Sequence, residues 1–266
     1  MCSLKLLSKA GDSYALVPES AFYLVPGNPT YIGDMLLYEY NWDRNDRFSE
    51  TIRTGKRPLK DEATSPDLAP VWIVDYSHRW TYPERYFEME ASLWQSLEVQ
   101  ARDGLRVLDI ACGPEPRSME LARQHPGVRL TWVDWEVVLQ TAVKVAGDLG
   151  ITGQISLLPG NLWSTDYGSG VFDVANLGNV THFFSPEENT RLFCKVHAAL
   201  APGGVIVVNS MARREIEGEV WDGLWLYVAT TGSGLYDFGE YKAWLESAGF
   251  TDVQDFNLGP IKAVKL

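Results

Sequence analysis

RVLDIACGPEPRSMELA, residues 106–122, is the stretch on which the reading of this chain turns. An apolar strand over Arg106–Ala111 carries Asp109, runs through the small residues Ala111, Cys112 and Gly113, and leads into a helical pattern. Pro116 suits the first turn of that helix, where its missing N–H costs nothing. Small residues after a strand let the backbone approach a ligand closely, and a helix N-terminus offers free N–H groups to an anion. The next strand, Arg129–Asp134, ends in an acid about 20 residues beyond Gly113, the distance at which a carboxylate holds the ribose hydroxyls of a nucleoside cofactor. An ordinary tight strand-to-helix turn would use the same residue types. The third glycine of a dinucleotide fingerprint is absent, and Glu115 in its region would repel a pyrophosphate. A ligand with an amino acid end and an adenosine fits better; S-adenosylmethionine has that shape.

Outward from this stretch, residues 101–266 alternate β-rich and helical runs. Further strands are expected at Gln154–Leu158, Phe172–Leu177, Val205–Asn209, Val253–Asn257 and Lys262–Leu266, with helices at 116–125, 136–148, 186–200 and 238–248. This alternation predicts an α/β fold, a Rossmann-like seven-stranded, mostly parallel sheet with helices on both faces. Ser185, Pro186 and Glu188 form a capping box with proline at the first helical position. Leu192, Phe193, Val196, Ala199 and Leu200 share one face of the helix, and Pro202-Gly203-Gly204 is expected to end it. Residues 1–100 have a looser pattern and are expected to be a separate, mainly helical unit. In it a short helix end precedes a Gly-Asp turn and the alternating run Tyr14–Val17, residues 51–70 are a polar connection, and residues 82–100 are a helix with Tyr86, Met89 and Leu93 at helical spacing.

The bulk properties exclude some partners. A net charge of −12 argues against nucleic acid, which needs a basic surface, and gives no attraction to anionic membranes. No apolar run reaches the roughly 20 residues of a membrane span, and MCSLKLLSKAGDSY lacks the apolar core of a signal peptide. Cys2, Cys112 and Cys194 stand far apart in no metal-binding spacing, so reduced thiols, a cytoplasmic location and no metal are the expectation. The ten tryptophans and twelve tyrosines are mostly core, and they also suit a pocket for a flat, apolar ligand.

VLDIACG (107–113), Asp134, GNLW (160–163) and ALAPGGVIVV (199–208) together resemble class I S-adenosylmethionine-dependent methyltransferases. LLSKAGDSYALVPESAFYLVPGNPTYIGDML (6–36) is similar to the wing and following helix of a winged-helix domain. NVTHFFSPEENTRLF (179–193) followed by KVHAALAPGG (195–204) is similar to the segment that carries the catalytic histidine in small-molecule O-methyltransferases of plant phenolics and bacterial polyketides. The resemblance implies an N-terminally truncated winged-helix dimerisation segment over residues 1–100, a catalytic domain over 101–266, and a homodimer. It places Asp109 and Gly113 at the cofactor, with Gly113 against the methionine end. Asp134 would take the ribose hydroxyls, Trp135 would lie close to the adenine, and Asn161 and Leu162 would border the adenine ring. Gly178 falls where many plant members carry a lysine.

By the same resemblance His182 is the catalytic base for a phenol. An imidazole with pKa about 6.5 is suited to that task near neutral pH, while the phenol's own pKa is about 10. Phe183, Asn209 and Leu235 stand where plant members carry the acidic groups that follow or orient the histidine, so the imidazole is expected to be less firmly held. The stretch 220–234, with Trp221 and Trp225, is expected to line the acceptor pocket or to be ordinary core. His197 and His125 read as structural. His78 and Arg79 could reach the site but also read as structural, and Met89 and Phe87 are either core or near the cofactor. The function implied is methylation of a hydroxyl on an aromatic or polyketide-like small molecule. The alternatives are C- or N-methylation, a non-methylating decarboxylase- or hydroxylase-like relative, and a non-catalytic cofactor-binding protein.

Overall fold

The computed structural model describes residues 1–28, 30–31, 48–56, 65–68, 83–210, 223, 226, 232–256 and 260–266. In chain order the elements are β1 (Leu7–Ala10), β2 (Ser13–Leu16), α1 (Pro18–Tyr23), α2 (Phe48–Thr54), α3 (Pro83–Ser96), β3 (Arg106–Ile110), α4 (Met119–Gln124), β4 (Arg129–Asp134) and α5 (Glu136–Asp148). There follow β5 (Ile155–Pro159), β6 (Phe172–Gly178), α6 (Pro186–Ala199), β7 (Leu200–Asn209), α7 (Phe238–Ser247), β8 (Phe250–Asp255) and β9 (Ile261–Lys265). A seven-stranded sheet has the order β5-β4-β3-β6-β7-β9-β8; β3 to β7 run parallel, and β9 is antiparallel to both β7 and β8.

Period-two alternation divides the strands between two cores. Leu108 and Ile110 of β3 face one cluster with Ala175 and Leu177 of β6, Leu192, Phe193 and Val196 of α6, and Tyr241 of α7. Val107, Leu130, Trp132 and Val207 face the other, with Phe87, Trp94 and Leu97 of the α3 segment and Leu139 and Ala142 of α5. Each fully buried Leu or Ile contributes about 2 kcal/mol. Hydrogen bonds fasten the element ends. Asp173 accepts from the Arg106 backbone N–H and guanidinium, Lys262 donates to the Leu97 carbonyl, and Lys265 donates to the carbonyls of His197 and Leu200.

Several boundaries differ from the expected ones, each for a local reason. The helix after β3 starts at Met119 and not near Pro116, because the intervening backbone is captured by other elements. Tyr86 donates to the Glu115 carbonyl, Trp94 donates to the Arg117 carbonyl, and the Ser118 N–H donates to Asp109. The capping box at Ser185 is present, and α6 stops at Ala199. Leu200 pairs at once with Phe172, and Pro202-Gly203-Gly204 lies in an irregularity within β7 before Val205 resumes the ladder against Val174. On α3 the buried stripe is Phe87, Glu90 and Trp94, while Met89 is 61% exposed. The apolar periodicity there is offset by one position, since a buried Glu90 replaces an expected apolar residue. The segment before the Gly-Asp turn forms β1 of an antiparallel hairpin instead of a helix end.

Candidate active site

The strand order reverses between β3 and β6, since β4 and β5 lie to one side and β7 to the other. In open α/β sheets, ligands bind over the carboxyl ends of the strands at such a switch point. Here Ala111 (φ 51°) and Asn179 (φ 53°) flank it, both non-glycine residues in the left-handed region. Asparagine tolerates that conformation, but for Ala111 it costs about 1 kcal/mol. Strain of this kind persists where the surroundings over-determine the backbone, and binding sites are where it clusters.

The cofactor side is built from linked polar groups. Asp109 is 1% exposed and pairs in register with Asn176 on β6. One of its oxygens accepts from the Asn176 amide (2.8 Å) and the other from the Ser118 N–H (3.2 Å). Burial pushes its pKa up, and these donors, with Arg117 nearby, oppose the shift. Asp109 therefore grips the loop from beneath. Arg117 is ion-paired with Glu90 of α3 (3.0 Å). Its side chain packs against Gly178, where a Cβ would meet Arg117 Nε at 3.5 Å. A cation from the β3–α4 connection thus stands beside Gly178.

Asp134 closes the end of β4. Its Oδ2 accepts from the Gly113 N–H (2.9 Å) and its Oδ1 from the Trp135 N–H (2.7 Å). Burial raises its pKa to about 6, against the lowering effect of those two N–H groups. Gly113 has φ +70°, and a Cβ built on it meets nothing within 4 Å, so open space lies over this turn. Trp135 is half-buried at the start of α5. Asn161 is exposed; its side chain accepts from the Trp163 N–H (2.8 Å), which folds 161–165 into a tight turn. Lys195 braces the turn from α6 by donating to the carbonyls of Leu162 (2.6 Å) and Trp163 (3.1 Å).

The opposite side centres on His182, in a 3-10 turn after β6 and 2% exposed. Its Nδ1 lies 2.9 Å from the Ser210 hydroxyl at the end of β7, and its carbonyl accepts from the Gly234 N–H. Burial lowers its pKa from 6.5 to about 3, so the ring is neutral at physiological pH. Thr181 and Tyr241 share a hydrogen bond of 2.9 Å. Aromatic side chains pack nearby in edge-to-face pairs, Trp163 with Phe184 (4.9 Å) and Tyr236 with Trp244 (4.8 Å). Of the expected acceptor-lining stretch, Leu226 is fully buried; Trp221 and Trp225 lie outside the described residues, as do His78 and Arg79. Sequence reasoning missed Ser210, Tyr241, Asn176 and Arg117. The first two lie on other elements and are near His182 only in the folded chain, while Asn176 could have been found by aligning β3 with β6.

The donors and acceptors suit an S-adenosyl ligand. Asp134 keeps lone pairs for two hydroxyls, the Gly113 turn leaves room for a close backbone approach, and Trp135 offers an apolar ring beside them. Comparison with known proteins agrees. Residues 107–204 match the methyltransferase domain family. The chain is 26% identical over 266 residues to 3-hydroxy-5-methyl-1-naphthoate 3-O-methyltransferase of Streptomyces sahachiroi, an alignment covering 95% of this chain and 74% of the relative. It is 27% identical to L-tyrosine C(3)-methyltransferase of Streptomyces lavendulae over 54% of this chain and 41% of that one. The fold superposes on human N-acetylserotonin methyltransferase in complex with S-adenosylmethionine with a TM-score of 0.75 at 21% identity, covering 99% of this chain and 82% of the other. The strand–loop–strand built around Asp109, Gly113 and Asp134 lies within the residues that match the methyltransferase domain family, and the relative that the chain resembles over most of its length is a methyltransferase.

Proposed function

We propose that the chain methylates a hydroxyl of an aromatic or polyketide-like small molecule, with His182 as the catalytic residue that meets the acceptor oxygen. The observation that carries this reading is the buried, neutral imidazole after β6, across the switch point from the Gly113 turn and amid aromatic side chains. The relative that methylates a naphthoate hydroxyl supports the acceptor class. When bound, S-adenosylmethionine supplies an electrophilic methyl whose C–S bond breaks as the acceptor oxygen attacks, leaving S-adenosylhomocysteine.

The chain's residues bind and orient. Asp134 takes the ribose hydroxyls, Trp135, Asn161 and Leu162 border the adenine, and the Gly113 backbone faces the methionine end. Asp109 acts through the loop that it holds. Holding acceptor and methyl donor in line accounts for several kcal/mol of the barrier on its own. The apolar side chains around His182 exclude water from the attacking oxygen.

Residues 1–100 we assign to a winged-helix-like dimerisation segment and 101–266 to the catalytic domain. Leu4, Tyr14, Leu16, Phe22 and Ile52 are exposed, which supports coverage of this part by a second copy. No helix among the described residues is long and apolar enough to cross a membrane, and we assign the chain to the cytoplasm, a reading that its widely spaced cysteines support.

The test is release of S-adenosylhomocysteine with a panel of hydroxynaphthoates, phenols and the matching anilines. Release that depends on the hydroxyl is expected; equal release without any acceptor, or with the anilines alone, would contradict the assignment.

A further inference from the structure

Arg117 is a charged residue on the cofactor side whose bonding capacity is only partly used. Its backbone is pinned from both sides. The Arg117 carbonyl accepts from Trp94 Nε1 (3.1 Å), and the N–H of Ser118 donates to Asp109 (3.2 Å). Its guanidinium is placed by two other elements. Nη1 donates to Glu90 Oε1 of α3 at 3.0 Å, and Nε lies 3.5 Å from the point that a Cβ on Gly178 would occupy. Gly178 is the last residue of β6, so the head group stands at the carboxyl end of a strand that borders the switch point. A guanidinium has five N–H donors in a fixed fork. The bond through Nη1 leaves the side edge, Nε–H with one N–H of Nη2, and no acceptor among the described residues meets that edge. The Arg117 side chain is 20% exposed while that of Glu90 is 3% exposed, so the pair is open on the arginine side.

Two parallel N–H groups on one planar edge match the two oxygens of a carboxylate. S-adenosylmethionine ends in an α-carboxylate, and the Gly113 turn assigned to that end belongs to the same β3–α4 connection as Arg117. We infer that the Nε–Nη2 edge of Arg117 takes the α-carboxylate of S-adenosylmethionine, with Glu90 as the positioning residue that holds the guanidinium beside Gly178. The charges of Arg117 and Glu90 cancel as a pair, which suits the zwitterionic end of an amino acid better than a free anion such as phosphate. Gly178 belongs to the same arrangement: a methyl group there would be an ordinary contact, and a longer side chain would compete with the guanidinium for its place. Because the backbone and the head group are both fixed beforehand, little rotamer freedom remains to be lost when the ligand binds.

The inference rests on the reading of the Gly113 turn as the methionine end, and its test is a binding cycle that needs no activity. Calorimetry compares S-adenosylhomocysteine, which carries the same carboxylate, with its decarboxylated analogue, which keeps the adenosine, the sulfur and the amine. The parent protein should bind S-adenosylhomocysteine roughly 10²-fold more tightly than the analogue, as expected for a two-bond charged contact. In Arg117→Met that preference should shrink to within about threefold, with the affinity for the analogue retained. Glu90→Ala should also reduce the preference, whereas Glu90→Gln, which keeps an acceptor for Nη1, should preserve it. Equal affinity of the two ligands for the parent would overturn the inference, and that measurement needs no variant to fold. The same preference in the parent and in Arg117→Met would overturn it as well, since a merely structural role weakens both ligands alike. Failure of both ligands to bind the parent would instead contradict the cofactor reading itself, so the two failures are distinguishable.

Discussion

The two sides of the cleft treat buried polarity in opposite ways. On the cofactor side, carboxylates are retained and fed by donors: Asp109 by Ser118 and Asn176, Asp134 by the N–H groups of Gly113 and Trp135. On the acceptor side the buried titratable group is an imidazole, its described side-chain partner is a hydroxyl, and desolvation drives its pKa down. The same physical cause, burial against charge, raises the acids and lowers the base. One side is thus prepared to hold a cationic, hydroxyl-rich cofactor, and the other to receive an acceptor in a neutral, apolar setting.

The largest effect that could break this contrast is at Asp134. If Asp134 takes the ribose hydroxyls as proposed, Asp134→Ala should weaken S-adenosylhomocysteine binding by roughly 10³-fold, about 4 kcal/mol, in a calorimetric titration. Affinity within a few-fold of the parent would show that the acid is not at the cofactor. On the other side, His182→Ala should leave that affinity unchanged and lower kcat by roughly 10²-fold, the usual loss when a group touching the reacting oxygen is removed. A cofactor affinity that falls along with kcat would mean the two sides are not separable.

pH gives a sharper comparison. In the proposed role Asp134 would bind ribose as a carboxylate, and burial raises its pKa in the free protein to about 6. Cofactor affinity should therefore be level above pH 6 and fall about tenfold for each unit below it, until the pKa in the complex is reached. His182 stays neutral down to about pH 3, so kcat at saturating cofactor and ionised acceptor should show no step near 6.5. The two groups also act oppositely on stability. The raised Asp134 pKa favours folding at low pH, and that contribution is lost as pH rises through about 6. The depressed His182 pKa favours folding above about 6.5, and that contribution is lost as pH falls toward about 3. A titration step near 6.5 in kcat would place His182 in a more hydrated setting.

The smallest effect concerns Ala111. Its left-handed backbone at the end of β3 is strained, so Ala111→Gly should stabilise the fold by up to about 1 kcal/mol in a denaturant titration, less the entropy a glycine costs when the chain folds. Clear destabilisation would show that the Ala111 side chain packs more tightly than its partial burial suggests.

What could be read in the sequence follows the same division. The cofactor side is local: strand, turn and strand lie within residues 106–134, and period-two patterning with a terminal acid marks them. The sheet and the Ser185 capping box were legible for the same reason, since each signal spans only a few residues. The start of α4 was not, because Tyr86, Trp94 and Asp109 reach its backbone from outside. The stripe of α3 was misplaced because Glu90 is buried through its ion pair with Arg117, a partner in another element. On the acceptor side His182 stood out, but Ser210 lies 28 residues beyond it and Tyr241 sits on α7. The topological rule gives one clue, since a polar residue just past β7 must lie close to the end of β6.

Transfer of a methyl group to an aromatic oxygen is tested most directly by the position of that methyl in the product. S-adenosylmethionine labelled with carbon-13 in the methyl group, incubated with the protein and an acidic hydroxyarene, should yield a product whose labelled carbon has the NMR shift of an aryl methyl ether. Label found on a ring carbon or a nitrogen, or no labelled product with any hydroxyarene, would contradict it.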